Sequence, residues 1–389
     1  MSYPNLPLDL CTACGACVSI CNRNALRLIS DENGFFQPSC DEAKCIGCRQ
    51  CESVCHVLTA NHPQTNCLMV DAFMLKANDK ELLKKSSSGG AFSLLANSVL
   101  DDGGCVYGAA YDYDNEMLRC FSTLSKSLEE LRKSKYVESY MGNTFCDVAS
   151  NLRDGKSVLF CGTPCQCRGL KSYIRKMRLD DGKLIVARFV CHGVPSNKCL
   201  SDYKHWMETK KNSKIIGIDF RPKIKGWRQQ FLKFDFENGK SCAVPNICDP
   251  YLICFYNSLN LRKSCYKCVF VKEDFCDLTI GDFWGIDAYR PELNDQEGIS
   301  IVLAHSKKGL NCVNNISNMC SLEPLPSSAI EYLFKENDYS KIKVQRDVFM
   351  DQVAQNGFMP VVLKKYGRLI RRNKIRWMWR QIKKRMMFF

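Results

Sequence analysis

Eight cysteines near the amino terminus repeat one spacing twice, and this repeat limits what the chain can fold into. The first run is Cys11-x2-Cys14-x2-Cys17-x3-Cys21, and the second is Cys45-x2-Cys48-x2-Cys51-x3-Cys55. A loop with this spacing wraps three corners of a cubane iron–sulfur cluster, and its fourth thiol lies too far round the loop to reach the same cluster. The spacing therefore predicts two cubane clusters that exchange their fourth ligands.

This exchange assigns the ligands. One 4Fe–4S cluster is expected on Cys11, Cys14, Cys17 and Cys55, and the other on Cys21, Cys45, Cys48 and Cys51. The alternatives are disulfides or zinc, although structural zinc usually takes two separated cysteine pairs. The spacing is typical of two-cluster bacterial ferredoxins, in which proline usually stands where this chain has Asn22 and His56.

Composition favours a reduced, cytoplasmic protein. The 389-residue chain has 26 cysteines, and its first ten residues lack the basic and apolar regions of a signal peptide. Many cysteines without export predict metal sites and reduced thiols. The net charge is +14, but residues 364–389 hold eleven Lys or Arg and no acid, which leaves +3 on the rest. This near balance argues against a nucleic-acid surface in the body of the protein.

Two short motifs in the larger, later region could bind an anion or a flat ring. Ser88, Gly89 and Gly90 directly precede an apolar helical run, where N–H groups and hydroxyls can face a phosphate. An ordinary serine N-cap is the alternative. Lys135 and Tyr136 lie in a cationic segment that suits a phosphate and a ring, or else a solvated turn.

A second group of cysteines is spread along the chain. Cys165 follows a predicted strand, Cys191 follows another, and Cys265 and Cys268 form a Cys-x2-Cys pair. Because strand ends on one side of a sheet converge, these four thiols could hold a third 4Fe–4S cluster, although such a pair equally suits zinc or a redox disulfide. His192 is the best candidate for an acid–base residue, but a lone histidine is more often structural.

In this order, the motifs resemble the family of coenzyme F420 hydrogenase/dehydrogenase beta subunits, and most closely its bacterial members encoded with surface-polysaccharide genes. The resemblance runs from about Cys11 to Gly285. Its markers are the two cysteine runs, Ser88-Gly89-Gly90, residues 103–108, Ser134-Lys135-Tyr136, Gly162-Thr163-Pro164-Cys165, Cys191, the Cys265/Cys268 pair and Gly281-Asp282. It implies a flavoprotein that holds FAD beside a 4Fe–4S cluster and exchanges electrons with a deazaflavin such as coenzyme F420, or with another organic molecule.

The resemblance also implies site residues. The third cluster would be ligated by Cys165, Cys191, Cys265 and Cys268, with Cys161, Cys167 and Cys276 as substitutes. FAD would lie among Ser88, Gly89, Gly90, Lys135, Tyr136, Gly162 and Thr163.

The expected fold is α/β or α+β, because short apolar strands alternate with helical patterns from residue 70 onward. We expect a two-cluster ferredoxin module at 1–60 and a linker at 60–69. The flavin domain should follow in two parts, 70–165 and 166–345, with the third cluster in the second part. A basic helical tail is expected at 346–389.

The expected function is electron transfer along a series of redox centres. Electrons would pass between a donor such as ferredoxin, the two ferredoxin clusters, the third cluster and FAD, and would then reach a small-molecule substrate. The alternative is a non-enzymatic electron-transfer adaptor that docks on a partner oxidoreductase.

The tail suggests a membrane surface. Leu369, Ile370, Trp377 and Met378 recur with helical spacing among the cations, as in helices that lie in an anionic membrane interface. A solvated basic helix, a disordered end and a helix for a partner's groove are the alternatives. The protein is thus expected in the cytoplasm, at the inner face of the membrane if the tail binds lipid.

Overall fold

A mixed α/β architecture follows the amino-terminal cysteine runs. The computed structural model describes residues 8–59, 70–270, 275–334 and 340–386, so the linker predicted at 60–69 lies outside the described residues. Within these ranges, the strands form a nine-stranded mixed sheet, a separate three-stranded sheet and a two-stranded hairpin. The predicted fold class is confirmed.

The elements have the following bounds. The strands are β1 (Leu26–Ser30), β2 (Phe36–Cys40), β3 (Asp71–Ala77), β4 (Cys105–Asp112), β5 (Met117–Ser122), β6 (Ser139–Tyr140), β7 (Val158–Gly162), β8 (Leu184–Phe189), β9 (Ile215–Asp219), β10 (Phe231–Phe236), β11 (Ser241–Pro245), β12 (Leu278–Asp282), β13 (Ser300–Ala304) and β14 (Cys320–Pro324). The α-helices are α1 (Ala16–Ser19), α2 (Gln50–Val54), α3 (Lys80–Lys84), α4 (Ala91–Asp101), α5 (Leu128–Leu131), α6 (Thr144–Arg153), α7 (Pro164–Lys176), α8 (Asn197–Lys211), α9 (Pro250–Tyr256), α10 (Ile286–Tyr289), α11 (Lys307–Asn315), α12 (Ser340–Asn356) and α13 (Phe358–Met386).

The direction of the central strands decides where loops meet. The large sheet has the order β14-β3-β13-β12-β8-β7-β4-β5-β6, and β12, β8, β7 and β4 run parallel. Strands β7 and β8 are almost continuously apolar, as expected of parallel strands covered on both faces. Their carboxyl ends therefore lie on one edge, called here the carboxyl edge, where loops of an open α/β sheet usually bind ligands.

Helices cover both faces of the sheet. Helices α4 and α11 pack on one face, and α6 and α7 pack on the other. The ferredoxin helices α1 and α2 contact α7, so the cysteine-rich region forms an outer layer on that side. No helix within the described ranges is long and apolar enough to cross a membrane.

The ferredoxin region shares its core with the sheet. Val18 and Leu28 belong to the same buried cluster as Phe160 of β7 and Leu170 of α7. The contact is close, because a Cβ added at Gly169 of α7 would lie 2.8 Å from the Cys14 sulfur. Leu26 and Leu28 of β1 and Phe36 and Pro38 of β2 are buried, and the two strands form a hairpin between the two cysteine runs.

A second core is built from the segment between β8 and β12 and from the helices that follow β14. The three-stranded sheet β11-β10-β9 packs with α8, α9, α12 and α13 around buried aromatic side chains, among them Tyr203, Phe234 and Tyr251. The sequence predicted β9, β10 and α8. It did not predict β11 or α9, because their apolar residues form short runs without a clear period, whereas α12 and α13 overlap the helical tail expected at 346–389.

Two helical glycines test how tightly the ferredoxin layer is packed. We expect Gly169→Ala to lower the free energy of unfolding by about 1–3 kcal/mol, because the new methyl group overpacks against Cys14. Gly367 lies in α13 with no atom within 4 Å of an added Cβ. Gly367→Ala should therefore raise stability by about 0.5–1 kcal/mol, the usual gain from removing a helical glycine. Denaturant unfolding measures both, and equal effects would contradict the packing.

Candidate redox site

The first cysteine group surrounds a cavity. Cys11, Cys14, Cys17 and Cys55 line one apolar cavity with Leu28 and Pro38 among its walls. Burial raises the pKa of Cys14 well above the usual thiol value, and the nearby thiols of Cys17, Cys55 and Cys11 raise it further. Cys55 of the second run thus lies beside three thiols of the first, as the predicted exchange of ligands requires, and the ligand assignment itself stays a prediction. Binding of each thiolate to an iron would reduce the repulsion between the neighbouring thiolates.

The second cysteine group is nearer the surface. Burial raises the pKa of Cys40 to about 11, and contact with the Cys45 thiol and the nearby thiols of Cys21 and Cys51 adds to this effect. Cys40 at the end of β2 thus joins the second group as an extra thiol. Cys48 is exposed, as is nearly all of the loop at 41–50 that carries it.

These two groups fit cubane clusters better than the alternatives. All 25 cysteines within the described ranges are free, which does not suit a disulfide framework. In the same ranges, no three or more His, Cys, Asp or Glu side chains converge tightly enough for a single metal ion. A cubane suits such a wider set of thiols, because each thiolate binds a separate iron at a corner of the cluster.

A third group of thiols meets at the carboxyl edge. Burial raises the pKa of Cys191 well above its usual value, and the thiols of Cys265, Cys165 and Cys268 raise it further. Cys165 lies in the first turn of α7, which follows β7, and Cys191 follows β8. The parallel pairing of β7 and β8 therefore brings these two residues to the same edge of the sheet. The structure therefore brings together the four predicted ligands of the third cluster, and the ligand assignment itself stays a prediction.

The substitutes for these ligands lie elsewhere. Cys167 and Cys276 are both buried, and their side chains are hydrogen-bonded to each other. Cys161 is near Cys276 and also near Lys135. Cys161, Cys167 and Cys276 are therefore near one another and form a set separate from the four thiols at the carboxyl edge.

Arg262 connects the first thiol group with the third. Its side chain is 2% exposed and donates hydrogen bonds to the carbonyl of Cys11 (Nε, 2.8 Å), the carbonyl of Phe36 (Nη2, 2.5 Å) and the carboxylate of Glu138 (Nη1, 2.9 Å). The Arg262 carbonyl accepts from the amide of Cys265 at 3.0 Å. A single residue thus joins the backbones of two predicted cluster ligands.

Glu138 completes this connection. It is 3% exposed, and burial raises the pKa of its carboxyl group to about 7 against the opposing effect of Arg262. Its second oxygen accepts from the amide of Phe36 at 2.8 Å, so both carboxylate oxygens have partners. Removing one partner of such a buried ion pair strongly destabilises the folded protein, because the other charge is left buried without a partner.

His56, which stands where ferredoxins usually have proline, contacts both Thr12 and Phe270. The ring is buried, Nε2 lies 3.2 Å from the Thr12 hydroxyl, and the ring packs edge-on against Phe270 at 4.9 Å. Phe270 follows the Cys265/Cys268 pair closely in the chain. This histidine therefore holds the first thiol group against the segment that carries part of the third.

Four cations lie together near the carboxyl edge, namely Lys133, Lys135, Arg221 and Lys223, and are called here the edge cations. Burial lowers the pKa of Lys135 to about 7 and that of Lys223 to about 8, and each is lowered further by its cationic neighbours. Arg221 donates to the Tyr136 hydroxyl (3.0 Å) and to the Asp282 carboxylate (2.7 Å).

The edge cations are held mainly by carbonyl groups and a few acids. Lys223 donates to the carbonyls of Leu83, Ser88 and Glu297 at 2.5–2.9 Å. Lys133 donates to Asp219 at 2.5 Å. Trp284 lies beneath the Arg221 guanidinium at 5.6 Å and stacks on Trp227. Fixed cations beside exposed aromatic surface are groups that can bind a phosphate-bearing ring compound.

The serine–glycine motif has structural partners. The Ser88 hydroxyl donates to the Ile299 carbonyl at 2.6 Å. A Cβ on Gly89 would lie 2.2 Å from the Leu75 carbonyl oxygen, so only glycine fits between β3 and β13. Gly90 begins α4 with a φ of 91°. These three residues fix the approach of α4 to the sheet, and their predicted role around FAD stays a prediction.

The Gly162–Thr163 segment also has a local role. Thr163 caps α7 in a capping box with Gln166, and its hydroxyl lies 3.1 Å from the Cys165 sulfur. Gly162 is buried at the end of β7. Thr163 thereby orients the first turn that carries Cys165. Of the predicted FAD contacts, Ser88, Lys135 and Tyr136 are among the edge cations and their partners.

His192 has the contacts of a structural residue. Its Nε2 lies 3.0 Å from the Ser258 hydroxyl, and its ring packs edge-on against Phe255 at 5.1 Å. Burial of the ring lowers the pKa of His192, although part of the residue is exposed. Its catalytic role stays a prediction.

Sequence reasoning assigned no role to several residues of this region, namely Cys40, His56, Arg221, Lys223, Glu138 and Arg262. Most are single charged side chains in polar surroundings, so no spacing distinguishes them from surface residues. The one available pattern was at Arg262, which directly precedes the segment of the Cys265/Cys268 pair.

Comparison with known families agrees with this geometry. Residues 10–58 match the 4Fe-4S dicluster domain, and residues 155–327 match the family described as the carboxyl terminus of the coenzyme F420 hydrogenase/dehydrogenase beta subunits. The chain is therefore an iron–sulfur protein related to oxidoreductases. More narrowly, one part of the chain matches a dicluster ferredoxin domain and another matches the carboxyl terminus of these beta subunits, which confirms the resemblance to the beta-subunit family stated from the sequence.

The chain is also similar to two individual proteins. One subunit of the F(420)H(2) dehydrogenase of Methanosarcina mazei is 23% identical over 339 residues, covering 80% of this chain and 89% of that protein. A chain of the F420-reducing [NiFe] hydrogenase complex from Methanosarcina barkeri matches with a TM-score of 0.48 and 18% identity, covering 75% of this chain and 96% of that one.

Cys48 and Cys40 provide a matched test of the second thiol group. Cys48→Ser should lower the iron content by about four atoms per chain, because a cubane needs its four thiolates. Cys40→Ser should leave the iron content unchanged, since Cys40 is outside the ligand spacing although it lies beside Cys45. Iron analysis of anaerobically purified protein measures both. If Cys40→Ser loses iron and Cys48→Ser keeps it, the ligand assignment is wrong.

Proposed function

We propose that this protein is an iron–sulfur flavoenzyme that passes electrons between a redox partner and a small organic molecule. Its centres would be two ferredoxin clusters, a third 4Fe–4S cluster and FAD. The observation that carries the proposal is the convergence of Cys165, Cys191, Cys265 and Cys268 at the carboxyl edge. The edge cations lie near the same edge, which supports a flavin beside the third cluster.

The burial of the thiol groups supports an order of electron transfer. The second group is outermost, because Cys48 and its loop are exposed. A redox partner would therefore meet this cluster first. The first group lies deeper and touches the third through Arg262, whose hydrogen bonds join Cys11 to Cys265. Electrons entering at Cys48 would cross the first group before they reach the carboxyl edge.

The edge cations support a flavin at the end of this route. A flavin, when bound, converts between one-electron and two-electron chemistry. Lys133, Arg221 and Lys223 would place positive charge near its phosphates, and opposite charges at short range attract one another. Lys135 would hold or release a proton at Nζ near neutral pH, because burial lowers its pKa to about 7.

The similarity to known proteins suggests candidates for the organic partner of the reaction. The relative from Methanosarcina mazei is named a dehydrogenase of F(420)H(2), which supports a deazaflavin as one candidate. Another organic substrate is the other candidate, and a role in surface-polysaccharide synthesis stays a prediction from the resemblance. An external ferredoxin or another redox protein would supply or take the electrons.

The competing proposal is an adaptor without a substrate site. The exposed loop around Cys48 favours docking on a partner and suits either function. The enzyme and the adaptor make different predictions about bound flavin. Stoichiometric FAD in the purified protein would support the enzyme, whereas three clusters without flavin would support the adaptor.

The third cluster and the flavin can be tested together. Anaerobic protein should contain about twelve iron atoms per chain and show flavin shoulders above a broad cluster band. Cys191→Ser should lower the iron content by about four atoms and keep the ferredoxin clusters. Cys276→Ser is the matched control, because this thiol is also buried but bonds to Cys167 outside the group. An unchanged iron content in Cys191→Ser would refute the third cluster.

Arg262 can be tested separately as a positioning residue. Arg262→Lys keeps the positive charge beside Glu138, so the iron content should persist. The lysine side chain cannot reach all three acceptors of Arg262. The reduction potential of the Cys11 cluster should shift, because hydrogen bonding around ligands tunes iron–sulfur potentials. Electron transfer from the ferredoxin clusters to the third should also slow, as followed by rapid-freeze electron paramagnetic resonance.

Arg346→Lys is the control for this variant. Arg346 is also buried, donates to the Leu261 carbonyl and pairs with Asp347, and it bonds to none of the predicted ligands. It should leave the potential unchanged. Equal shifts in the two variants would mean that Arg262 acts only through general stability.

A further inference from the structure

The last helix begins as part of the core. Helix α13 runs without interruption from Phe358 to Met386, and Phe358, Val362 and Ile370 on its first half are buried. This half contacts α8 and α9 of the second core. The helix is therefore fixed to the body, and its second half extends from a rigid base.

One face of the second half remains turned toward the body. Asn373 donates to the Ile247 carbonyl at 2.6 Å, and Trp377 lies 5.3 Å from the Lys225 ammonium group. Lys225 also hydrogen-bonds to Gln381. Asn373, Trp377 and Gln381 are four residues apart, so they form one row along the helix. Trp377, which the sequence grouped with the membrane-facing residues, belongs to this row.

The opposite face carries an exposed apolar stripe. It consists of Ile375, Met378, Trp379 and Ile382, which are 47%, 51%, 61% and 47% exposed. Their spacing of three and four residues places them within a sector of about 100°, roughly opposite to Trp377 at 3.6 residues per turn. These four residues are called here the tail stripe.

Cations border the tail stripe on both sides. By the same helical geometry, Arg372, Arg376 and Lys383 lie along one border and Lys374 along the other. All four are exposed, and residues 364–389 contain no acid. Apolar side chains between two rows of cations are the pattern of a helix that lies in the plane of a bilayer interface.

We propose that the tail stripe binds the surface of an anionic lipid bilayer, with α13 parallel to the membrane and the body on the opposite side of the helix. Charge selects this occupant. A second copy of the chain would bring an identical set of cations against the first, and like charges in contact are destabilising. Anionic headgroups instead attract juxtaposed Lys and Arg residues while the acyl boundary accepts the apolar stripe.

Co-sedimentation with vesicles tests this proposal on the full chain. Wild-type protein should bind phosphatidylcholine vesicles that contain phosphatidylserine, and should bind pure phosphatidylcholine vesicles much more weakly. Raising the salt concentration should weaken binding, because exposed charges are screened. Met378→Ser/Trp379→Ser should weaken binding by about tenfold or more, since binding scales with buried apolar area.

Two controls separate the stripe from the helix as a whole. Leu363→Ser removes another exposed apolar side chain of α13 outside the stripe and should bind vesicles like wild type. Iron content should be equal in all variants, which shows that the body is intact. Substitution is preferable to truncation at Lys364, because that truncation would also remove the buried Ile370.

Three outcomes would overturn the proposal. The first is wild-type protein that does not bind anionic vesicles at low salt. The second is equal binding by wild type and by Met378→Ser/Trp379→Ser. The third is a dimer in size-exclusion chromatography that the double variant converts to a monomer, since the stripe would then bind a second copy of the chain.

Discussion

The buried guanidinium of Arg262 is the contact on which the relation between the cysteine-rich layer and the body depends. Placing a charged pair inside a protein costs more than its Coulomb attraction returns unless hydrogen bonds satisfy both groups. Here the Arg262 side chain reaches two carbonyls and Glu138, and Glu138 also accepts from the Phe36 amide. The pair therefore fixes the distance between the first and third thiol groups, which neither cysteine run could set by itself.

The parallel strands provide the second constraint. Because β7, β8 and β12 point the same way, the segments after them meet at one edge although more than a hundred residues separate Cys165 from Asp282. Thiols and cations from distant parts of the sequence converge there without a long loop. Two of the thiols that fit a cluster, Cys165 and Cys191, follow β7 and β8. The cations lie nearer to β12 through the Arg221–Asp282 pair. A cluster and a flavin at this edge would thus be neighbours by topology.

Spacing and periodicity were sufficient for part of this arrangement. The two cysteine runs predicted the crossing of Cys55 into the first group, because that spacing leaves the fourth thiol no other position. Apolar runs predicted strands such as β7 and β8 for a similar reason. Arg262 could not be predicted, since its role depends on where Cys11 and Glu138 lie in three dimensions. The same limit explains Gly89, which resembled a phosphate-binding glycine but is required by close backbone packing.

The packing of the cysteine-rich layer also decides how the redox centres can move. Gly15 faces Met141, Gly34 faces the backbone of Lys198, and Gly169 faces Cys14, each with space for no Cβ. Three such contacts on different sides leave little freedom for the layer to swing on the linker that follows it. Electron transfer between the predicted first and third clusters would then occur across a fixed gap bridged by Arg262.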